Sequence, residues 1–345
     1  MIQSRFEALG SYLPETRVST QELISKMKFT PPFDLEAITG IRERRMRSPQ
    51  EDSFTIALNA TQDVLKRSRY AASELDLIIS CSICRIKDQT DNYWEPSFAL
   101  FLAEKLGAKK AIHFDVSNAC AGMMTGVYIA DRMIRSGLIK TALVFSGECI
   151  TPITETAIQE IDNPLDPQFA SLTVGDAGAA VILDQAEDDQ DRIHAIEIMT
   201  CAEYSHLCIG KPSDQSGAPA LYTNNREMHK EERIRLWPAL QMDHLKARGA
   251  DFESEHFDYV IHHQVGTRAI QNFSKYAESI FGTPMPEALS CVENFANTAT
   301  TSHFLVLHEH LKQNKIPKGS KILFVPAASG LVTGFVSATI SNLEA

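Results

Sequence analysis

No stretch of this chain approaches the roughly 20 consecutive apolar residues that cross a bilayer as a helix. The opening Met1-Ile-Gln-Ser-Arg5 also lacks the charged and apolar regions of a signal peptide. These absences predict a cytoplasmic protein without a membrane partner. Basic side chains are the minority, 33 against 44 acidic, for a formal charge of -11. A nucleic-acid role needs a net or local basic field and is therefore excluded, and any acidic partner has to meet a local basic patch. Paired cysteine motifs are scarce too. Cys81, Cys84, Cys120, Cys149, Cys201, Cys208 and Cys291 are an odd number scattered through 345 residues, which predicts reduced thiols. Cys81-Ser-Ile-Cys84 has zinc or redox spacing, but no second such pair exists to complete a four-thiolate site, and no metal or cofactor is expected.

What the chain does hold is alternation. Apolar runs that read as buried strands alternate with longer stretches of helical period, the pattern of an α/β protein with a largely parallel sheet. Internal repetition sharpens this. Asp76-Leu-Ile-Ile-Ser-Cys81 is echoed by Asp258-Tyr-Val-Ile-His-His263, each an acidic residue opening an apolar strand. Phe114-Asp-Val-Ser-Asn-Ala-Cys120 leads into a helix through Gly137 and a strand from Thr141 to Ser146. Val292-Glu-Asn-Phe-Ala-Asn297 leads likewise into a helix through Asn314 and a strand from Lys321 to Val325. Two α/β units are expected, 1–186 and 187–345, with Cys120 and Asn297 at corresponding strand-to-helix turns. The acidic run Glu187-Asp-Asp-Gln-Asp191 reads as a solvated loop between them. The polar stretch from Gly210 to Arg235 reads as an insertion near an entrance or a subunit contact.

A cysteine becomes nucleophilic as its thiolate, which the amide donors and positive dipole end of a helix N-terminus favour. Cys120 stands at such a turn, ahead of Met123, Met124, Val127, Ile129, Ala130 and Ile134, a helix apolar on most sides. A small core cysteine fits the same position. His263 fits a hydrogen-bonded core histidine and Asn297 a helix cap as readily as a site. Strand alternation points the neighbouring His262 to the opposite face from His263. His308-Glu-His310 lies on a helical stretch with polar surroundings and reads as solvent-facing.

Taken in order, Gly10-Ser-Tyr-Leu-Pro14, Thr39-Gly-Ile-Arg-Glu-Arg44, Phe114 to Gly122, Val174-Gly-Asp-Ala-Gly-Ala-Ala180, His263-Gln264, Asn297-Thr298 and Ser329-Gly-Leu331 resemble β-ketoacyl-acyl-carrier-protein synthase III and its thiolase-superfamily relatives. The resemblance spans nearly the whole chain. It implies the thiolase fold, two pseudo-symmetric α/β halves in five α-β-α-β-α layers, a homodimer, and an active site of Cys120, His263 and Asn297. The chemistry suits those residue types. A thiolate takes an acyl group, backbone donors at Cys120 and the Gly330-Leu331 turn meet the oxyanion, and His263 and Asn297 donate to the second thioester's carbonyl. Each such donor contributes roughly 3 kcal/mol.

Two departures narrow the reaction. Asn92-Tyr-Trp-Glu-Pro-Ser97 places Glu95 where ordinary synthase III enzymes carry an apolar residue. Glu-Pro-Ser is similar instead to the branch with olefin-pathway head-to-head, α-pyrone-forming and dialkylresorcinol- or cyclohexanedione-forming ketosynthases. That likeness implies that Glu95 enters the partner subunit's site as a base; an interface glutamate held by an arginine is the plainer reading. The adenine clasp of CoA-using relatives is also missing, its positions being Asp34 and Gln168. Acyl-carrier-protein thioesters are therefore favoured for at least one substrate, beside acyl-CoA, with Arg and Lys of the Gly210 to Arg248 region as contacts. The expected activity is Claisen-type condensation of an acyl group on Cys120 with a second, β-ketoacyl thioester, with or without cyclisation, in specialised metabolism. The alternative is a decarboxylating synthase that starts fatty-acid chains from malonyl-carrier protein. Transfer to oxygen or nitrogen, and a silent partner subunit, are further readings.

Overall fold

The computed structural model describes residues 2–88 and 93–345. Two five-position sheets repeat one topology, so the echo seen in the sequence is carried into three dimensions. The first runs Ser4–Tyr12, Ala177–Gln185, Thr141–Glu148, Leu77–Ser80, Ile112–Asp115. In the second, Arg192–Thr200, Val332–Ile340, Ser320–Val325, Tyr259–His262 and Glu287–Ala288 take the same places, and the short strand Ala327–Ala328 adds to Val332–Ile340. The last three strands of each series are parallel, but the first two run antiparallel to their neighbours. The expectation of largely parallel sheets is thus corrected. Strands buried on both faces carry the same apolar composition whichever way they run.

The acidic residue that opens each repeat has a physical task. Asp76 accepts the backbone N–H groups of Lys140 and Thr141 at 2.7 and 3.2 Å, and Asp258 accepts that of Lys321 at 2.8 Å. Each carboxylate thereby ties the start of its own strand to the start of the neighbouring one, at equivalent places in the two halves.

Two helices, Gly122–Arg135 and Ser302–Lys312, lie between the sheets, and their Met123, Met124, Val127, Phe304 and Leu307 share one core with Leu77, Ile79, Val144, Ile261, Phe324 and Val336. Outside the first sheet lie Ser53–Arg67 and Phe98–Leu106, packed through Phe54, Ala57, Ala60, Val64 and Phe98. Outside the second lie Leu236–Ala247 and Thr267–Phe281, packed through Trp237, Leu245 and Ala277. These are the five layers of a thiolase fold.

The sandwiched position of Ser302–Lys312 overturns the reading of His308 and His310 as solvent-facing: they are buried, at 4% and 7% exposure. His308 Nδ1 lies 3.0 Å from Ser11 Oγ and its Nε2 3.7 Å from Asp63 Oδ2. Burial opposes its charge, but the bonds to Asp63 and Glu309 outweigh burial and hold the imidazole above its ordinary value. A raised folded-state value makes this contribution complete below the unfolded histidine's ordinary value of about 6.5, and it is lost as pH rises through the folded-state value. The melting-temperature difference between wild type and His308→Gln is therefore expected to be largest near pH 6 and to shrink by pH 9. Calorimetry showing a constant difference would remove this assignment.

The acidic run between the halves is also more than a solvated loop. Glu187 is exposed and pairs with Arg69, but Asp191 is buried and accepts Arg5 Nη1 at 3.0 Å. The stretch from Gly210 to Arg235 folds as the end of a two-stranded hairpin, Cys208–Pro212 with Pro219–Thr223, followed by short helices Asn225–Met228 and Glu231–Ile234. Among the described residues no helix is long and apolar enough to cross a membrane.

Candidate active site

Cys120 sits in a 3₁₀ turn, Ala119–Ala121, that feeds the buried helix Gly122–Arg135. The second half repeats this with Ala299–Thr301 feeding Ser302–Lys312. Ala119 and Ala299, the first residue of each turn, both adopt left-handed backbone, φ 44° and 52°. Such conformations cost roughly 1–3 kcal/mol outside glycine and persist where the surroundings over-determine them. By this alignment the counterpart of Cys120 is Thr300, and Asn297 lies just before the equivalent turn. The turn at Asn297 follows a two-residue strand, Glu287–Ala288, and a short helix, Val292–Phe295, rather than the strand expected there.

Asn297 is fixed on three sides. Its backbone N–H donates to Thr173 O at 2.9 Å and its carbonyl accepts Gly175 N–H at 3.0 Å. Its Oδ1 accepts Ala299 N–H at 2.9 Å, which leaves Nδ2 as the donor end. The Val174-Gly-Asp motif of the first half therefore anchors a residue of the second. A Cβ at Gly175 would run into Phe295 O, so only glycine allows this approach. Asp176 pins the motif from below, accepting the N–H groups of Ile150, Thr151 and Arg47 at 2.7 to 2.9 Å.

His263 follows the strand Tyr259–His262 and is 3% exposed. Its backbone N–H donates to Val325 O at 3.1 Å, as that of Cys81, its counterpart in the first half, donates to Phe145 O at 2.8 Å. The ring stacks on His303 with centroids 5.9 Å apart, and Nδ1 finds no hydrogen-bond partner among the described residues. Burial, then His303, pushes the imidazole down to about 3, so it is neutral at pH 7. His262 turns the other way, against Trp237 and Phe273, with Nε2 3.1 Å from Ser274 Oγ.

Cys120, His263, Asn297 and the Ser329 to Leu331 turn all line one cavity of about 870 Å³. Gly330 in that turn has φ +80°, a conformation natural to glycine. Phe33, Leu35, Ile38 and Leu165 give the cavity an apolar part of its lining; Arg226, His229, Arg233 and Arg268 give it a basic part. Arg233 is committed to Glu227 and to the Tyr204 ring. Arg226 and Arg268 are exposed and have no carboxylate within ion-pair distance among the described residues. Arg268 lies beyond the region in which sequence placed the basic contacts. Of the two clasp positions, Asp34 caps the helix Leu35–Thr39, and Gln168 is buried, donating to Glu160 at 2.9 Å.

Glu95 is exposed and does not line this cavity of its own chain; Asn92, which opens its segment, falls outside the described residues. Among the described residues no group of three or more His, Cys, Asp or Glu side chains is arranged to hold a metal.

Burial dominates the electrostatics of Cys120 and His263. Burial, followed by the charges of Cys208 and Glu148, pushes the Cys120 thiol well above its ordinary value, and only its own backbone N–H favours the thiolate. The thiolate expected from the helix end gives way to a resting thiol in a cavity that a neutral imidazole also lines. Glu148, wholly buried, accepts Thr300 Oγ1 at 2.7 Å, Ser146 Oγ at 2.9 Å and Ile83 N–H at 3.0 Å. Alkylation of Cys120 by iodoacetamide is accordingly expected to quicken about tenfold per pH unit from 7 through 9.5, since the thiolate fraction grows tenfold per unit below the pKa. A plateau below pH 8.5, read by peptide mass spectrometry, would contradict this.

Comparison with known proteins places the chain in a family. The family model for 3-oxoacyl-[acyl-carrier-protein] synthase III matches residues 114–201, and the model for its C-terminal part matches residues 247–340. The chain is 28% identical to the beta-ketoacyl-[acyl-carrier-protein] synthase III of Clostridium novyi (strain NT), over 97% of this chain and 98% of that protein. The structure of 3-oxoacyl-[acyl-carrier-protein] synthase III from Aquifex aeolicus VF5 is similar at a TM-score of 0.77 and 26% identity, covering 97% and 99% of the two chains. Xanthomonas campestris OleA with bound lauric acid and lauroyl-CoA is similar at a TM-score of 0.84 and 22% identity, covering 98% and 99%; that likeness establishes the fold. With family signatures on both halves and near-full-length likeness to synthases of that name, the chain belongs to the β-ketoacyl-acyl-carrier-protein synthase III type of acyl-condensing transferases.

Proposed function

We propose that Cys120 carries an acyl group as a thioester and that His263 and Asn297 activate a second thioester, whose α-carbon attacks it. The observation that supports this most is the convergence of Cys120 from the first half and His263, Asn297 and the Ser329 to Leu331 turn from the second on one cavity. On attack the thiol proton passes to neutral His263, the oxyanion meets the backbone N–H of Cys120 and of the Gly330-Leu331 turn, and the donor's thiol leaves with that proton. In the second half-reaction the Nδ2 end of Asn297 donates to the incoming carbonyl, His263 donates from the tautomer that carries its proton toward the cavity, and the enolate displaces Cys120, whose thiolate recovers the proton taken from the α-carbon.

Glu95 is the proposed base for that enolate, acting from the partner subunit on a β-ketoacyl thioester, with ring closure as a later step. The edge strand Ile112–Asp115 supports a homodimer: Ile112 is 52% exposed and Trp94, beside Glu95, 81%. The exposed Arg226 and Arg268 at the cavity suit the phosphate of a phosphopantetheine thioester, and the apolar lining at Phe33, Ile38 and Leu165 does not suit a nucleotide. This supports an acyl-carrier-protein substrate. Intact-mass analysis after incubation with lauroyl-CoA and lauroyl-carrier protein tests the reading; absence of an adduct on Cys120 with both donors rejects it. Offering malonyl- or β-ketoacyl-carrier protein to the acylated enzyme then separates the two condensations, because only the malonyl route releases carbon dioxide equal to product.

A further inference from the structure

A second thiol shares the cavity with Cys120 and is not used by that chemistry. Cys208 opens the hairpin strand Cys208–Pro212 and lines the same cavity. Its sulfur is held between two hydroxyls: Ser329 Oγ donates to it at 3.0 Å, and Thr223 Oγ1, directly across the hairpin, lies 3.3 Å away. Ser329 begins the turn that joins Ala327–Ala328 to Val332–Ile340, and at the turn's other end the Leu331 carbonyl accepts Cys201 N–H at 2.8 Å. The turn is thus tied at both ends to the segment Cys201–Cys208, by main chain on one side and by the thiol on the other. The 3₁₀ turn of Cys120 packs on the same structure, Cys120 and Ala119 touching Ala328 and Val332.

We propose that Cys208 is a positioning residue for acyl transfer: through the Ser329 hydroxyl it sets the distance between the Ser329 to Leu331 turn and Cys120, and so places the turn's backbone donor against the oxyanion. This rests on the reading of Cys120 as the acylated nucleophile and of that turn as an oxyanion donor. A valine at 208 fills the space of the thiol but offers Ser329 no acceptor, so the hydroxyl loses its partner and the turn loses one of its two ties. A serine keeps a polar partner for both hydroxyls.

The test follows lauroyl transfer to Cys120 from lauroyl-CoA and from lauroyl-carrier protein by rapid quench and intact mass. It compares wild type, Cys208→Val, Cys208→Ser, Ser329→Ala and the Cys208→Val/Ser329→Ala double variant, each checked for folding by thermal unfolding. Cys208→Val and Ser329→Ala are each expected to slow acylation about tenfold, less than the roughly hundredfold of a 1 Å misplacement, with donor KM and final adduct amplitude unchanged. Cys208→Ser stays within about threefold of wild type, and the double variant is no slower than either single one, because both substitutions remove the same bond. Acylation of Cys208→Val or Ser329→Ala at the wild-type rate, or losses that multiply in the double variant, overturns the positioning role while leaving Cys120 as nucleophile. A wild-type protein that takes up no acyl group overturns the underlying reading, and the positioning role with it.

Discussion

Cys120→Ala is expected to lose the acyl adduct and to lower condensation by roughly 10⁴-fold or more, because in the proposed reaction every later step depends on a thioester at this sulfur. The other six cysteines do not substitute for it. Cys81 and Cys149 are buried away from the cavity, and Cys208, which does line it, is tied to Ser329 and Thr223. Intact mass of the variant after exposure to lauroyl thioesters checks this directly. A persistent single adduct, mapped to another cysteine, would move the nucleophile. The folded state is expected to survive, since Cys120 packs at the edge of two small apolar clusters rather than in the main core between the sheets.

Glu95→Gln is expected to separate the two half-reactions. The adduct on Cys120 forms at the wild-type rate, while condensation with a β-ketoacyl-carrier protein falls about 10²- to 10⁴-fold, the usual contribution of a positioned base. Glutamine keeps the size and one acceptor of the side chain and removes only its capacity to take a proton. Mixed dimers sharpen the test. A Glu95→Gln chain paired with a Cys120→Ala chain retains one complete site if Glu95 acts across the interface, and none if it serves its own chain. Equal condensation of the β-ketoacyl-carrier protein by wild type and Glu95→Gln would assign the residue to the interface alone.

The residues of the cavity were legible because they sit where a repeated pattern changes period. Cys120 and Asn297 mark the passage into apolar helices, and His263 ends a short apolar strand, so spacing and residue type were enough to single them out. Strand direction was not legible. A strand buried on both faces, such as Ala177–Gln185, reads the same in either orientation, and only its partners decide. His308 and His310 misled for a related reason. A helix between two sheets buries every side, so polar residues on it find internal partners instead of solvent; the unbroken run Phe304-Leu-Val-Leu307 was the available signal. The chain from Ser329 through Cys208 to Thr223 joins residues up to 121 positions apart, and no local pattern encodes it. Glu95 is legible as a departure from the pattern of similar enzymes, and it does not line the cavity of its own chain.

Thr300 stands where Cys120 would stand in the other half, and its hydroxyl is already spent on Glu148 and Ser146. A doubled framework has two such turns and needs only one of them to react. The first keeps its side chain facing the cavity, while the second turns its side chain inward and becomes a rivet between the halves. The two equivalent turns thus differ at two atoms: a sulfur that faces the cavity, and a hydroxyl oxygen bonded to Ser146 and Glu148.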